Sequence, residues 1–321
     1  MIDDRAASKD EGILAPVAPP IIVNRAGRAA HPPLRVVLLN AASGRELEAI
    51  AACLKRPPLS DASIILLCEM DWRMRRSGHR ELARELADTL GMSFAYVPEF
   101  GIRQADASYR EIYMGNAILS AEPFEDVKVV PLPRPIINGK VWRMNQPGLK
   151  LVGRPAGIVA HARFAGHRLM MGVVHLHSRC SPAERGRQMA AYMKGLPEHG
   201  PAVFAGDLNT TTIELTSGPK LLHAASRILL TPHRFRAPER HEPLFQWIEA
   251  RNFITRGVNV PRRPTFTFSK LIPPFLRPKL DWIAIRSVKP IEGSAQVVPA
   301  RRSLFGQRIS DHDFVMVDID L

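Results

Sequence analysis

The chain is poor in cysteine, has no long hydrophobic run and lacks the common nucleotide-binding loops. Each shortage narrows what it can be. Its 321 residues include only three cysteines, Cys53, Cys68 and Cys180. The count is odd and contains no CxxC pair, which argues against a disulfide framework and for reduced thiols. No apolar stretch approaches the roughly 20 residues of a membrane span. The longest, such as Ser63-Ile-Ile-Leu-Leu-Cys68, have strand length. No GxxxxGK loop or GxGxxG fingerprint suggests nucleotide hydrolysis or dinucleotide binding. The N-terminus opens on acids, and Ile13-Leu-Ala-Pro-Val17 is a short run broken by proline. No signal peptide is expected there, and the expected location is the cytoplasm. There is no repeat of fixed period. Trp72, Trp142, Trp247 and Trp282 are too scattered to argue base stacking.

What is abundant is positive charge. Lys and Arg total 44 against 31 Asp and Glu, a net charge of +13. That balance suits a polyanionic partner, whether nucleic acid, anionic lipid or a phosphorylated small molecule. A genome rich in arginine codons would give the same excess, so charge alone decides nothing. With 45% hydrophobic and 23% charged residues the chain reads as globular. Its length allows one large α/β domain or two ordinary ones.

Residues 1–33 carry Pro16, Pro19, Pro20, Pro32 and Pro33 without apolar period and read as a disordered tail. Order is expected from Leu34-Arg-Val-Val-Leu-Leu39, a buried strand ending at Asn40. A helix is expected over 44–55 from Leu47, Ile50, Ala51 and Leu54. A second strand, 63–68, ends at Glu69. An amphipathic helix over 79–90 has Gly91 suited to its C-cap. Strands follow at 114–120 and, as a hairpin around Ala165-Gly166-His167, at 157–164 and 168–176. Pro182 opens a helix at its favoured first position. Ala202–Ala205, Leu280–Ile285 and Phe314–Ile319 read as strands, with helical pieces near 213–228 and 243–250. Alternating strands and helices with a central hairpin predict an α/β layered domain with a mixed sheet between helices.

The apolar strands end on polar groups. Leu38-Leu39 leads to Asn40, and Cys68 to Glu69. Val173-Val174 leads to His175, and Phe204-Ala-Gly206 to Asp207 and Asn209. Ile309-Ser310 leads to Asp311 and His312, while Asp281 opens Trp282-Ile-Ala-Ile285. In an open α/β sheet, strand ends form the crevice where ligands bind. A carboxylate at the edge of a core is costly unless something pairs with it. If these groups converge, oxygen donors in this proportion suit a hard divalent ion, Mg²⁺ or Mn²⁺, better than zinc. A nearby histidine can then move a proton or stabilise charge on phosphorus. Such a site is built for phosphoester hydrolysis.

Asn40, "CE" at 68–69, "GNAILS" at 115–120, "VHLHS" at 174–178, "GDLN" at 206–209, "LDWI" at 280–283 and "SDH" at 310–312 resemble, in order, the endonuclease/exonuclease/phosphatase superfamily. The likeness spans 34–321 and implies a catalytic domain there. It implies a four-layer α/β/β/α sandwich, with two packed mixed β-sheets flanked by helices. It implies Glu69 as principal metal ligand, Asn40 beside the metal, and Asp311 at a second metal position. It further implies His312 as general base or phosphoryl holder, its ring oriented by Asp281. Asp207 would orient the attacking water, Asn209 would bind a phosphate oxygen, and His175 would stabilise the transition state. The substrate carries phosphate, with nucleic acid favoured and a phospholipid or phosphoinositide as the alternative. A monomer is expected. Residues 211–262 match no motif of the family.

Plainer readings stand beside these. Asp207 and Asn209 are turn formers. Glu69 could pair with Arg73, Arg75 or Arg76, and Asp281 with Arg277 or Lys279. Asn116 could serve the substrate or simply bond backbone at a sheet edge. His177 shares a strand face with His175 and reads as a packed neighbour. The basic run Arg73–Arg80 is a solvated loop or a phosphate clamp, with His79 and Arg80 as its candidates. His175-Leu-His177 with Cys180 resembles a zinc string, but no further His or Cys follows at ligand spacing. A non-catalytic binding module is the remaining rival, and Leu271–Leu276 reads as an exposed apolar loop.

Overall fold

The computed structural model describes residues 18–25, 27, 30, 32–103, 112–137, 139–141, 145–146, 149–213, 231, 233–267, 272–303 and 306–321. The runs of valine, isoleucine and leucine seen in the sequence become strands. In chain order these are β1 (Ile21–Val23), β2 (Leu34–Ser43), β3 (Ala62–Trp72), β4 (Ser93–Arg103), β5 (Tyr113–Ser120) and β6 (Phe124–Pro131). Short pieces β7 (Ile136–Ile137), β8 (Lys140–Val141) and β9 (Asn145–Gln146) precede β10 (Leu149–Gly153), β11 (Ala156–Phe164) and β12 (His167–Val173). The rest are β13 (Ala202–Asp207), β14 (Asp281–Arg286), β15 (Lys289–Pro290), β16 (Gln296–Val298) and β17 (Phe314–Asp320). The helices α1 (Leu47–Leu54), α2 (Leu82–Leu90) and α3 (Pro182–Gly195) lie between them.

One sheet runs β15-β17-β2-β3-β5-β4-β10-β9, with β1 added on β4 and β16 on β17. The other runs β14-β13-β12-β11-β6. Both are mixed: β2 and β3 are parallel, as are β12 and β13, and their other pairings are antiparallel.

Side chains alternate across a strand with a period of two, and that period sorts the molecule into layers. Leu34, Val36 and Leu38 of β2 meet Val203, Ala205, Ile283 and Ile285 of the second sheet in a core between the sheets. Val37 and Leu39 turn the other way, onto Leu47, Ile50, Leu82 and Leu86 of α1 and α2. On the far side Phe204, Trp282 and Ala284 pack on Met189, Tyr192 and Met193 of α3 and on the helix Leu244–Glu249. The four-layer α/β/β/α sandwich follows from these three cores.

Local signals place the helix ends. Ser181 Oγ accepts from Glu184 N (3.3 Å) with Pro182 at the first helical position of α3. Gly91 takes the left-handed conformation that ends α2 (φ 66°).

One sequence expectation needs correction, and two strands had no signal strong enough to read. Order begins before Leu34: β1 pairs with β4, and Asn24 Nδ2 donates to Phe124 O (2.9 Å). Residues 18–25 therefore belong to the folded body, because Ile21 and Val23 pack against the helix-side core. Strand β4 was hidden by Pro98 and Glu99, which sit where its register shifts. Strand β6 was hidden by its charged face, Glu125, Asp126 and Lys128. The tail residues 1–17 and the helical piece at 214–228 lie outside the described residues.

Candidate active site

The same alternation builds the site. Along β2 the inward positions run Leu34, Val36, Leu38 and then Asn40. Along β13 they run Val203, Ala205 and then Asp207, and along β14 they run back from Ile285 and Ile283 to Asp281. His175 continues the inward row Met171, Val173 of β12. The core between the sheets thus ends in amide, carboxylates and imidazole. Glu69 should by parity face the helices with Ile65 and Leu67. Instead β3 carries an extra residue between Leu67 and Met70, and Glu69 adopts φ 57°. This bulge swings the carboxylate to the inner side.

The contacts are close. Asn40 Nδ2 donates to Glu69 Oε1 (3.1 Å) and to Asp207 Oδ2 (3.0 Å). His175 Nε2 lies 3.6 Å from Asp207 Oδ2 and 3.8 Å from Glu69 Oε1. His312 Nε2 lies 3.6 Å from the same Asp207 oxygen, and its Nδ1 is 2.8 Å from Asp281 Oδ2. Gly206 makes this approach possible, since a Cβ there would fall 1.8 Å from Val174 O. Ser310 fastens the last segment: its hydroxyl donates to Asn40 O (2.7 Å) and accepts from His312 N (3.1 Å). Thr265 Oγ1 accepts from Asp281 N (3.1 Å).

Burial and charge compete here. Asp207 is 2% exposed and Asp281 is 0%, whereas the Glu69 side chain keeps 30%, so the cluster opens to solvent at Glu69. Burial pushes the Asp207 carboxyl up, with Asp281 adding to it and the two histidines opposing. Burial alone would pull His312 down, but the facing carboxylates of Asp281 and Asp207 outweigh it and push the ring up to about 10. His175 is likewise lowered by burial and raised on balance by Asp207, Glu69 and Glu99.

The structure decides between several plain and functional readings. Arg73 pairs with Glu81 and Arg76 with Asp71. Lys279 Nζ donates to Val260 O (3.0 Å) and lies over the Trp282 ring, so it does not neutralise Asp281. His177 is pulled down to about 4, by burial and by nearby His175. Cys180 donates its thiol to His177 O (3.2 Å), so the zinc string does not gather into a metal cluster.

Not every expected residue joins. The Asn209 amide is spent on Leu176 O (2.7 Å), locking the end of β13 to the segment after His175. Asp311 is exposed beside Ser310 and acts on His312 through charge. Asn116 is fully buried and donates to Ala156 O (3.2 Å). His79 and Arg80 are not brought to the cluster. His79 Nδ1 contacts Arg73 O, and Arg80 pairs with Glu48 and Glu85.

Sequence reasoning passed over Glu99. It is 3% exposed, accepts from Ala156 N (3.1 Å) and is pushed up to about 7 by burial, with His175 opposing and Glu69 adding. The signal was present: Ala95 and Val97 face inward, and Glu99 is the next residue of that row.

The donor set fits a hard divalent cation. One ligand atom each from Asp207, Asp281 and His312 lies within 4.8 Å of the others, and Asp281 Oδ1 is buried without a partner. Glu69 adds an open carboxylate. Acids and imidazoles so placed can hold a cation, orient water and accept its proton.

A two-sheet sandwich with this cluster at one end defines a phosphoesterase-type enzyme. The sequence model of the endonuclease/exonuclease/phosphatase family matches residues 37–312, and the chain belongs to that family, whose members hydrolyse phosphoester bonds and generally use divalent metals. It is similar in fold to an endonuclease/exonuclease/phosphatase from Beutenbergia cavernae: TM-score 0.57, 20% identity, covering 90% of this chain and 71% of that one. It is also similar to D. rerio TDP2 complexed with single strand DNA product (0.52, 15%, 90% and 99%). A third is the 3'-5' exonuclease of Neisseria meningitidis (0.53, 16%, 90% and 100%). At these identities the likeness is one of fold. No protein of curated function matches the sequence significantly. Among the described residues no helix is long and apolar enough to cross a membrane.

Proposed function

We propose that the chain is a Mg²⁺- or Mn²⁺-dependent phosphodiesterase that hydrolyses nucleic acid by attack of an activated water. The observation that carries this is the Asp281–His312–Asp207 array beside Glu69 at the open end of the inter-sheet core. Glu69 and Asn40 would hold the cation, with Asp311 near a second position. Bound there, it would polarise a phosphoryl oxygen and offset part of the carboxylates' charge.

The chain's own groups do the rest. Asp281 fixes the His312 ring through Nδ1, leaving Nε2 aimed into the site beside Asp207. Asp207 and His312 share the attacking water: one orients it and the other takes its proton. His175, raised by its acid neighbours, faces the charge that develops on the phosphoryl oxygens. Asn209 keeps the end of β13 in register and so positions Asp207. The net charge of +13 favours a polyanionic strand as substrate. Three free thiols suit a reducing, cytoplasmic setting.

A phospholipid or phosphoinositide substrate is the second reading. Phe275, 53% exposed in the apolar turn Pro274–Leu276, favours it. A non-catalytic module is disfavoured by the grouping of Asp207, Asp281 and His312 beside Glu69.

The test is a substrate panel of single- and double-stranded DNA, abasic DNA, RNA, phosphoinositide and sphingomyelin, with Mg²⁺, Mn²⁺ or EDTA. Nucleic acid should be cleaved, EDTA should abolish cleavage, and His312→Ala should lower kcat about 10²–10⁴-fold. Activity that survives EDTA or His312→Ala sinks the mechanism. Turnover of lipid alone sinks the substrate.

A further inference from the structure

Outside the acid cluster the molecule has a cavity of ≈ 350 Å³ whose walls are cationic: His233, Arg236, Arg240, His241 and Arg262, with Ala237. Several surface arginines hold acids, as Arg73 holds Glu81, Arg80 holds Glu85 and Arg302 holds Glu46. Here, among the described residues, Arg236, Arg240 and Arg262 have no carboxylate at ion-pairing distance. Arg236 is set by Nε donating to Arg262 O (3.2 Å), which leaves its outer nitrogens for the cavity. The His233 and His241 rings stand 6.2 Å apart. His241 is held below its ordinary range by burial and by Arg234, His233 and Arg240, with only Glu239 opposing. Converging like charges opposed by the single acid Glu239 are favoured by a visiting anion. Guanidinium forks match phosphate oxygens in pairs.

The cavity is tied to the catalytic end. The carbonyl of Phe235, next to the lining residue Arg236, accepts from Lys279 N (3.0 Å), two residues before Asp281. Arg262 lies three residues before Thr265, the residue that holds Asp281 N. Three residues span at most about 11 Å of chain. The walls include none of the catalytic acids, so a phosphate held here is not the one being cleaved. A strand places a phosphate about every 3.4 Å along its axis, so a neighbour some three nucleotides away would reach.

We propose that this cavity is a second phosphate-binding subsite, which grips the backbone of a nucleic-acid strand a few nucleotides from the scissile bond. The proposal rests on the nuclease reading above and adds where the strand is held.

Binding tests it without cleavage. The full chain is titrated in EDTA with fluorescein-labelled single strands of 4, 8 and 12 nucleotides, read by anisotropy. Arg240→Gln/Arg262→Gln should raise the Kd of the 12-mer about tenfold and reduce the salt slope by about 0.7 for the one phosphate lost. Arg240→Lys/Arg262→Lys should keep most of the affinity. Arg163→Gln/Arg168→Gln, which removes the same charge beside Glu125, should change Kd less than twofold. Wild-type Kd in the Arg240/Arg262 Gln pair overturns the subsite, as does equal weakening by the Arg163/Arg168 pair. Loss of binding to phosphoinositide vesicles with oligonucleotide binding intact overturns it in favour of a lipid headgroup. Arginine-dependent strand binding without cleavage by the metal-loaded enzyme would leave the subsite standing and remove the nuclease reading. Cleavage with unaltered strand affinity in the Arg240/Arg262 Gln pair would do the reverse.

Discussion

Glu99→Gln should stabilise the protein at pH 8 and leave it nearly unchanged at pH 5. Glu99 is sealed behind the site, with Ala156 N as its backbone donor. Burial lifts its carboxyl from the ordinary 4.5 to about 7, His175 and the Ala156 amide pulling back and Glu69 pushing further. The folded state therefore binds this proton more tightly than the unfolded chain does. The stability tied to it is fully present below about pH 4.5, falls between 4.5 and 7, and stays lost above 7. The gap of about 2.5 units, at roughly 1.4 kcal/mol each, makes the loss about 3 kcal/mol at pH 8. Glutamine keeps the oxygen that Ala156 N needs and carries no charge, so it escapes the loss. In a domain of this size that is a melting-point gain of about 5 °C. Differential scanning fluorimetry in EDTA, at pH 5 and pH 8, reads it directly. A variant that melts at or below wild type at pH 8, or gains equally at pH 5, refutes the argument.

Asp281→Asn should lower the His312 pKa from about 10, because a negative charge that favours imidazolium is gone; NMR titration of the metal-free protein reads the shift, and kcat should fall with it. Gly206→Ala drives a Cβ into Val174 O, backbone that cannot swing aside; it should cost about 3 kcal/mol by strain and displace Asp207, visible as lost melting temperature and lost activity together. Arg185→Ala strands the fully buried Glu242, which Arg185 holds at 2.6 Å. The expected loss is about 3–5 kcal/mol by urea denaturation, and Arg185→Met/Glu242→Leu should recover much of it.

Much of this was legible in the sequence, for physical reasons. The period-two rows that fill the inter-sheet core also aim Asn40, Asp207 and Asp281, so motif and fold carry one signal there. Glu69 was found by its motif, but its direction was not, because a bulge breaks the parity a reader would extend. Glu99 was missed because the strand that carries it has Pro98 beside it and a register shift. Arg80 does not reach the cluster because acids hold it, Glu85 five residues on and Glu48 from an earlier helix, and basic loops look alike until their acids are known. The cationic cavity could not be assembled from the sequence, because its residues belong to one-turn helices and loops with no period.

The bulge at Glu69 has one more consequence. Deleting Glu69, the single residue between Cys68 and Met70, would let β3 zip into an unbroken ladder with β5 and so make a better sheet. It would also take the acid away and leave only the Cys68 thiol on the inner side. This protein keeps a flaw in its hydrogen-bonding as the condition for having an acid in its mouth.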